Sequence, residues 1–251
     1  MSRSIVIEGI MQGFKIVMHA FRMVWNNLKE ALQISLIPLL IVGAVAYVLL
    51  PSFDLDVSDP EAVAQALQPL LLVWLAWIIV TTWIFVSWHR YVLLEEYPTG
   101  WMPALHLSQI LSYLGHGLMI GLVAGLALVP GAVFAAASPT LGSIFLFIGV
   151  IGAILIFYRL VPMLPAAAIG RRMKFAEVWA ATEGANGTIV TIILILIVIQ
   201  SILQLAFGTL AAIAPMLEVI ASMGFTFFLG LVNVSILTTF YGHYVEGRSI
   251  D

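Results

Sequence analysis

The chain has 251 residues, of which 62% are hydrophobic and only 9% charged, with a formal net charge of −3. A soluble domain carries about 25% charged residues, enough to coat its surface, so this chain must meet an apolar solvent, and lipid fits. The absence of cysteine excludes disulfides, thiolate catalysis and Cys-ligated metal centres, and ten dispersed basic residues give nucleic acid no patch to bind.

The first residues lack the basic, apolar and small-residue order of a secretory signal. Ile10, Phe14, Met18, Phe21, Trp25 and Leu28 recur at three- and four-residue spacing, with Lys15, His19, Arg22, Asn26 and Lys29 one step round. Cations on one face and aromatics on the other suit a helix lying in the headgroup plane. Residues 1–31 are therefore expected to lie on the membrane without crossing it.

Apolar runs follow at 32–50, 69–88, 110–133, 141–158, 188–207 and 217–240. Each is near the ~20 residues that cross a ~30 Å hydrocarbon core. Backbone in lipid must satisfy its own hydrogen bonds, so the runs must be helices. The prediction is one all-α membrane domain over 1–251, six transmembrane helices arranged as three hairpins. Between the first two runs, Asp54, Asp56, Asp59 and Glu61 form an acidic loop that lacks the EF-hand order of ligands. Asp59-Pro60-Glu61 predicts a cap with proline at the first helical position.

Charge sets the orientation. In a six-span arrangement, Arg3, Lys15, Arg22, Lys29, Arg90, Arg159, Arg171, Arg172, Lys174 and Arg248 all fall on one side. The alternate loops, 51–68, 134–140 and 208–216, hold no Lys or Arg. The positive-inside rule makes that side the cytoplasm, so a multi-pass protein of the cell (inner) membrane with both termini cytoplasmic is expected.

The even spans end alike, at Trp88-His89-Arg90-Tyr91, Phe157-Tyr158-Arg159-Leu160 and Phe240-Tyr241-Gly242-His243-Tyr244. Semi-polar, helix-like stretches at 10–29, 102–109 and 174–185 precede the odd spans, which suggests three repeated units. Tyr158-Arg159-Leu160 with Pro162, Pro165, Ala166–Ala168 and Trp179 resembles bacterial six-span proteins of the glycerophosphoryl diester phosphodiesterase membrane-domain type. Residues 88–94 and 241–247 resemble uncharacterised members of that group. The resemblance implies a membrane module without the catalytic barrel, and so no phosphodiesterase activity.

Arg159 is the leading candidate for a site. With two prolines freeing backbone beside it, it could hold an anionic headgroup; as an interfacial anchor, its side chain would simply reach the phosphates. His89, Arg90, His243 and Tyr158 either join it in a basic and aromatic ring at the cytoplasmic end or stand as separate helix-end anchors. Gly117, Gly121 and Gly125 form a small-residue ladder, expected to seat a helix of the same chain or a second copy. Gln200, Gln204 and Asn233 are expected to hydrogen-bond between helices. His116 lacks the neighbours of a metal site.

No span core carries Asp, Glu or Lys, and no phosphate loop, HExxH motif or nucleophile arrangement is present. The expectation is a non-enzymatic membrane protein without cofactor, acting on envelope organisation through membrane lipids, through self-association or through a membrane-protein partner. The alternative is a facilitator for an apolar or lipid-like solute.

Overall fold

The computed structural model describes residues 3–50 and 59–250; Asp54, Asp56 and the side chain of Arg3 lie outside that description. Among the described residues there is no strand. The helices are α1 (Arg3–Asn26), α2 (Leu28–Leu49), α3 (Pro60–Leu94), α4 (Leu107–Gly125), α5 (Val129–Ala137), α6 (Pro139–Leu160), α7 (Met163–Ala168), α8 (Phe175–Ala181), α9 (Asn186–Ile213) and α10 (Pro215–Tyr244). Six helical stretches are long and apolar enough to cross a membrane: α2, α3, α4 through α5, α6 through α7, α9 and α10. The chain is an all-α polytopic bundle.

Local chemistry sets several boundaries. The Asp59 carboxylate accepts the Glu61 amide at 2.9 Å, and Pro60 takes the first helical position, where a missing N–H costs nothing. Pro130 has no N–H for the Leu126 carbonyl. The chain therefore tightens into a 3₁₀ turn at Leu126–Leu128, and the Val129 amide donates to Leu126 instead. Ser138 starts α6, its hydroxyl accepting the Leu141 amide at 3.5 Å with Pro139 next in sequence.

Three segments depart from expectation. The first is α1, which has two apolar faces. Ile10, Phe14, Met18 and Trp25 are exposed, while Gly13, Ile16, Val17, Ala20 and Val24 are buried. The buried face packs along α9 and α10, with Gly9 and Gly13 against the backbone of Gly187 and Thr188 and with Phe21 against Phe228. Second, 102–109 is not helical before Leu107. Pro103 disfavours helix in the residue before it, and the Trp83 indole donates to the Ala104 carbonyl at 3.1 Å, tying the extended segment to α3. Third, the stretch after Arg159 is a buried helical segment. Leu160 to Ala168 is wholly enclosed, and α7 packs against α3, α4 and α10.

Burial is lopsided. On α2 it stops at Val42, on α3 it begins at Val80, on α9 it stops at Ile192, and on α10 it begins at Leu231. The common core thus lies at the end of the bundle that carries the helix-end cations. Towards the opposite end the hairpins present Leu71, Trp74, Leu205, Ile213 and Met216 outward, as lipid allows and water would not.

The closest helix pairing is α5 with α6. A Cβ on Gly131 would lie 2.7 Å from Leu146 Cα, and one on Gly142 would lie 2.5 Å from Ala135 Cα. The ladder on α4 behaves differently. Gly117 meets only the tip of Leu164 at 3.9 Å, and a Cβ on Gly121 or Gly125 would meet nothing within 4 Å. The expected in-chain helix is absent from that face among the described residues. Gly117 and Gly121 instead line an open apolar groove with Phe85, Tyr113 and Leu237.

Candidate functional site

The helix ends that carry the sequence candidates converge at the buried end of the bundle, but the candidates do not form one ring there. Each has its own partners. His89 is fully buried, with Nδ1 2.8 Å from the Thr238 hydroxyl and Nε2 3.3 Å from the Tyr113 hydroxyl. Beside it the Trp88 indole donates to the Ser235 hydroxyl at 2.8 Å. These bonds tie α3 to α10 and α4 and leave the imidazole no path to solvent. His89 is therefore a packing residue of the core.

Arg90 turns the other way. Its Nη2 lies 2.6 Å from Glu96, its Nε donates to the same carboxylate at 2.8 Å, and its Nη1 donates to the Ala168 carbonyl at 3.2 Å. That last bond satisfies a carbonyl at the end of α7, where the helix itself offers no partner. His106 Nε2 reaches the second Glu96 oxygen at 2.6 Å, so one carboxylate joins α3, the 95–106 loop and, through Arg90, α7. Glu95 makes this possible: at φ 55° it reverses the chain and returns Glu96 to Arg90.

Burial pushes the Glu96 carboxyl up, but the hydrogen bonds and charges of Arg90 and His106 outweigh it and hold the group below the ordinary carboxylate range. A folded value below the unfolded one, about 4.3, means the carboxylate stabilises the fold at neutral pH. That contribution is lost as pH falls through the folded value. Lowering the pH from 7 to below about 4 is expected to lower the amide protection factors in 95–106, corrected for the intrinsic pH dependence of exchange, before the helices open. Glu96→Gln is expected to show the lowered protection already at pH 7, with little further acid response. Protection in this loop that ignores both changes would contradict the assignment.

Arg159, in the last turn of α6, is held against α8. Its guanidinium carbon lies 3.9 Å from the centre of the Trp179 ring. Nη2 donates to the Trp179 carbonyl at 2.7 Å, and Nε donates to the Thr182 hydroxyl at 3.4 Å. Thr182 is buried, its hydroxyl 3.1 Å from the Arg159 carbonyl. Phe175 stacks on Trp179 with ring centres 6.2 Å apart and planes within 11°. Short α8 is fixed by Glu177, whose carboxylate accepts the Lys174 amide at 3.1 Å, and by Val178 buried beneath it. Among the described residues, Nη1 of Arg159 has no acceptor, and the head group borders a cleft of about 620 Å³ with Val123, Ile156, Phe175, Trp179 and Glu183.

Of the remaining candidates, Tyr158 packs at the core margin with its ring edge-on to Phe157. His243 is half-buried, its Nδ1 3.1 Å from the Arg248 carbonyl. Arg171 donates to the Tyr241 hydroxyl at 3.3 Å. Asn233 donates to Leu229 of its own helix at 2.9 Å and does not bridge helices. Sequence reasoning missed Glu96, Thr182 and Thr238 as partners; the signal for Thr182 was its place one turn beyond Val178-Trp179 on a short amphipathic stretch. Among the described residues no three His, Asp or Glu side chains gather to hold a metal. No family model, curated protein or solved structure matches the chain.

Proposed function

We propose that the chain is a non-enzymatic membrane protein that engages a phospholipid headgroup at Arg159 and helps organise the envelope membrane. Its cations would face the cytoplasm, which places the Arg159 cleft at the inner leaflet. The likeness to membrane modules of the glycerophosphoryl diester phosphodiesterase type agrees with such a role, without the activity. One observation carries the reading. The Arg159 fork is held by a ring stack and two hydrogen bonds, its Nη1 has no acceptor among the described residues, and the residue lines an open cleft. A pre-oriented guanidinium loses little freedom on binding a phosphate and can do so in bidentate fashion.

The cleft also separates Arg159 from Arg90, which the sequence offers as a partner in the same ring. Arg90 is taken up by Glu96 and Ala168. In native mass spectrometry, wild-type protein is expected to retain an anionic phospholipid. A charge-assisted hydrogen bond contributes about 1.5–3 kcal/mol, so Arg159→Ala is expected to lower retention about tenfold or more. Arg159→Lys, which keeps charge but loses the fork, should fall between the two. Arg90→Ala should retain lipid as wild type does. Equal retention by Arg159→Ala and wild type, in folded protein, would overturn the proposal.

A further inference from the structure

A second cleft, remote from Arg159, lies between α9 and α10 at the end of the hairpin away from the cations. It has a volume of about 770 Å³ and is walled by both helices, with Gln200 and Gln204 from α9 and Glu218, Thr226 and Asn233 from α10. From Glu218 to Asn233 the α10 wall is 15 residues long, about 22 Å at 1.5 Å per residue. That is most of a ~30 Å hydrocarbon core. Towards the cation-bearing end of the same helices, Ile189, Ile192, Leu231 and Val232 are buried.

Lipid is a poor filling for such a space. Among the described residues no hydrogen bond engages the Gln200 or Gln204 carboxamide, and Asn233 commits only its amide nitrogen, to Leu229. Polar groups in contact with hydrocarbon and without partners are strongly unfavourable, so polar spans turn such groups towards water or a ligand. The volume is that of a small-molecule pocket, and the cleft is walled by both helices of the hairpin. Its chemistry is also directional. No Lys or Arg lines it, Glu218 stands in the first turn of α10 at its mouth, and Phe207 and Phe225 meet edge to face inside it with centres 5.6 Å apart. A carboxylate, aromatic faces and carboxamide oxygens are the groups that receive an ammonium ion.

We infer that the α9/α10 cleft is a water-filled vestibule, open at the Glu218 end, that binds small organic ammonium solutes. This goes beyond the headgroup site and is independent of it. The chain has no native cysteine, so single thiols report cleanly. Gln200→Cys, Gln204→Cys and, as a lipid-facing reference, Leu205→Cys would be placed in phospholipid nanodiscs, where both faces meet the reagent and orientation does not matter. Each would be treated with trimethylammonium and sulfonate methanethiosulfonates of similar size. Both glutamine positions are expected to react much faster than position 205. Relative to their rates with a free small-molecule thiol, the cationic reagent should be favoured roughly tenfold over the anionic one, as a focused carboxylate field implies. Adding Glu218→Gln should abolish that preference while leaving access intact. Glutamine positions as slow as position 205 would mean that lipid fills the cleft and would overturn the inference. Fast labelling without charge preference, or a preference indifferent to Glu218→Gln, would overturn the ammonium assignment.

Discussion

Gly142→Leu and Gly149→Leu are each expected to cost more than about 3 kcal/mol, beyond the usual range for overpacking, while Gly121→Leu leaves stability nearly unchanged. The difference lies in what surrounds each Cα. At Gly142 an added carbon meets the Cα of Ala135 at 2.5 Å, and at Gly149 it meets the carbonyl oxygen of Ala127. Both obstacles are backbone, so no rotamer change can give way, and α6 must part from α5 at Gly142 and from the 3₁₀ turn Leu126–Leu128 at Gly149. At Gly121 the added carbon meets nothing within 4 Å, and leaving glycine gains up to about 1 kcal/mol of helix propensity. Thermal unfolding in nanodiscs would check this. A Gly121 variant as damaged as the Gly142 variant would mean that a partner covers the ladder.

The second large effect is at Trp88. Its side chain is fully buried and its indole N–H reaches Ser235 on α10, one residue from the His89 bridge to Thr238 and Tyr113. Trp88→Ala is expected to cost about 3–5 kcal/mol, mostly through the cavity it leaves. Ser235→Ala should cost only about 0.6–1.7 kcal/mol, the scale of a hydrogen bond between membrane helices. Comparable losses in the two variants would show that the hydrogen bond, and not packing, holds α3 to α10.

The spans were legible in the sequence because lipid permits little else: apolar runs of that length must be helical. The Asp59-Pro60 start was legible for a similar reason, since capping chemistry is local. What escaped was pairing. A ladder such as Gly117, Gly121 and Gly125 records that a backbone can be approached, not that anything approaches it. In the α5/α6 pair the glycines that are approached, Gly131, Gly142 and Gly149, lie against the backbone of Leu146, Ala135 and Ala127, neighbours visible only after folding. Likewise Pro162 and Pro165 read as a turn, yet they lie where helix starts tolerate proline, and the alanines after them fill the space between α3, α4 and α10. At the candidate site, Arg159 was marked by its position at a span end. Its hold on α8 was not, because Trp179 and Thr182 lie about twenty residues onward. Arg90, a candidate to join Arg159, is taken up because Glu95 turns the chain back and brings Glu96 to it.

Every inner-leaflet role given to Arg159 depends on the side of the membrane that the cation-bearing end faces. A reporter fused after Asp251, active only in the cytoplasm, tests this most directly, because α10 ends beside Arg171 and Arg248 at that same end. Full cytoplasmic activity is expected, with no signal from an externally active reporter at the same position. An external carboxyl end would invert the bundle, place the Arg159 cleft in the outer leaflet and contradict the proposal.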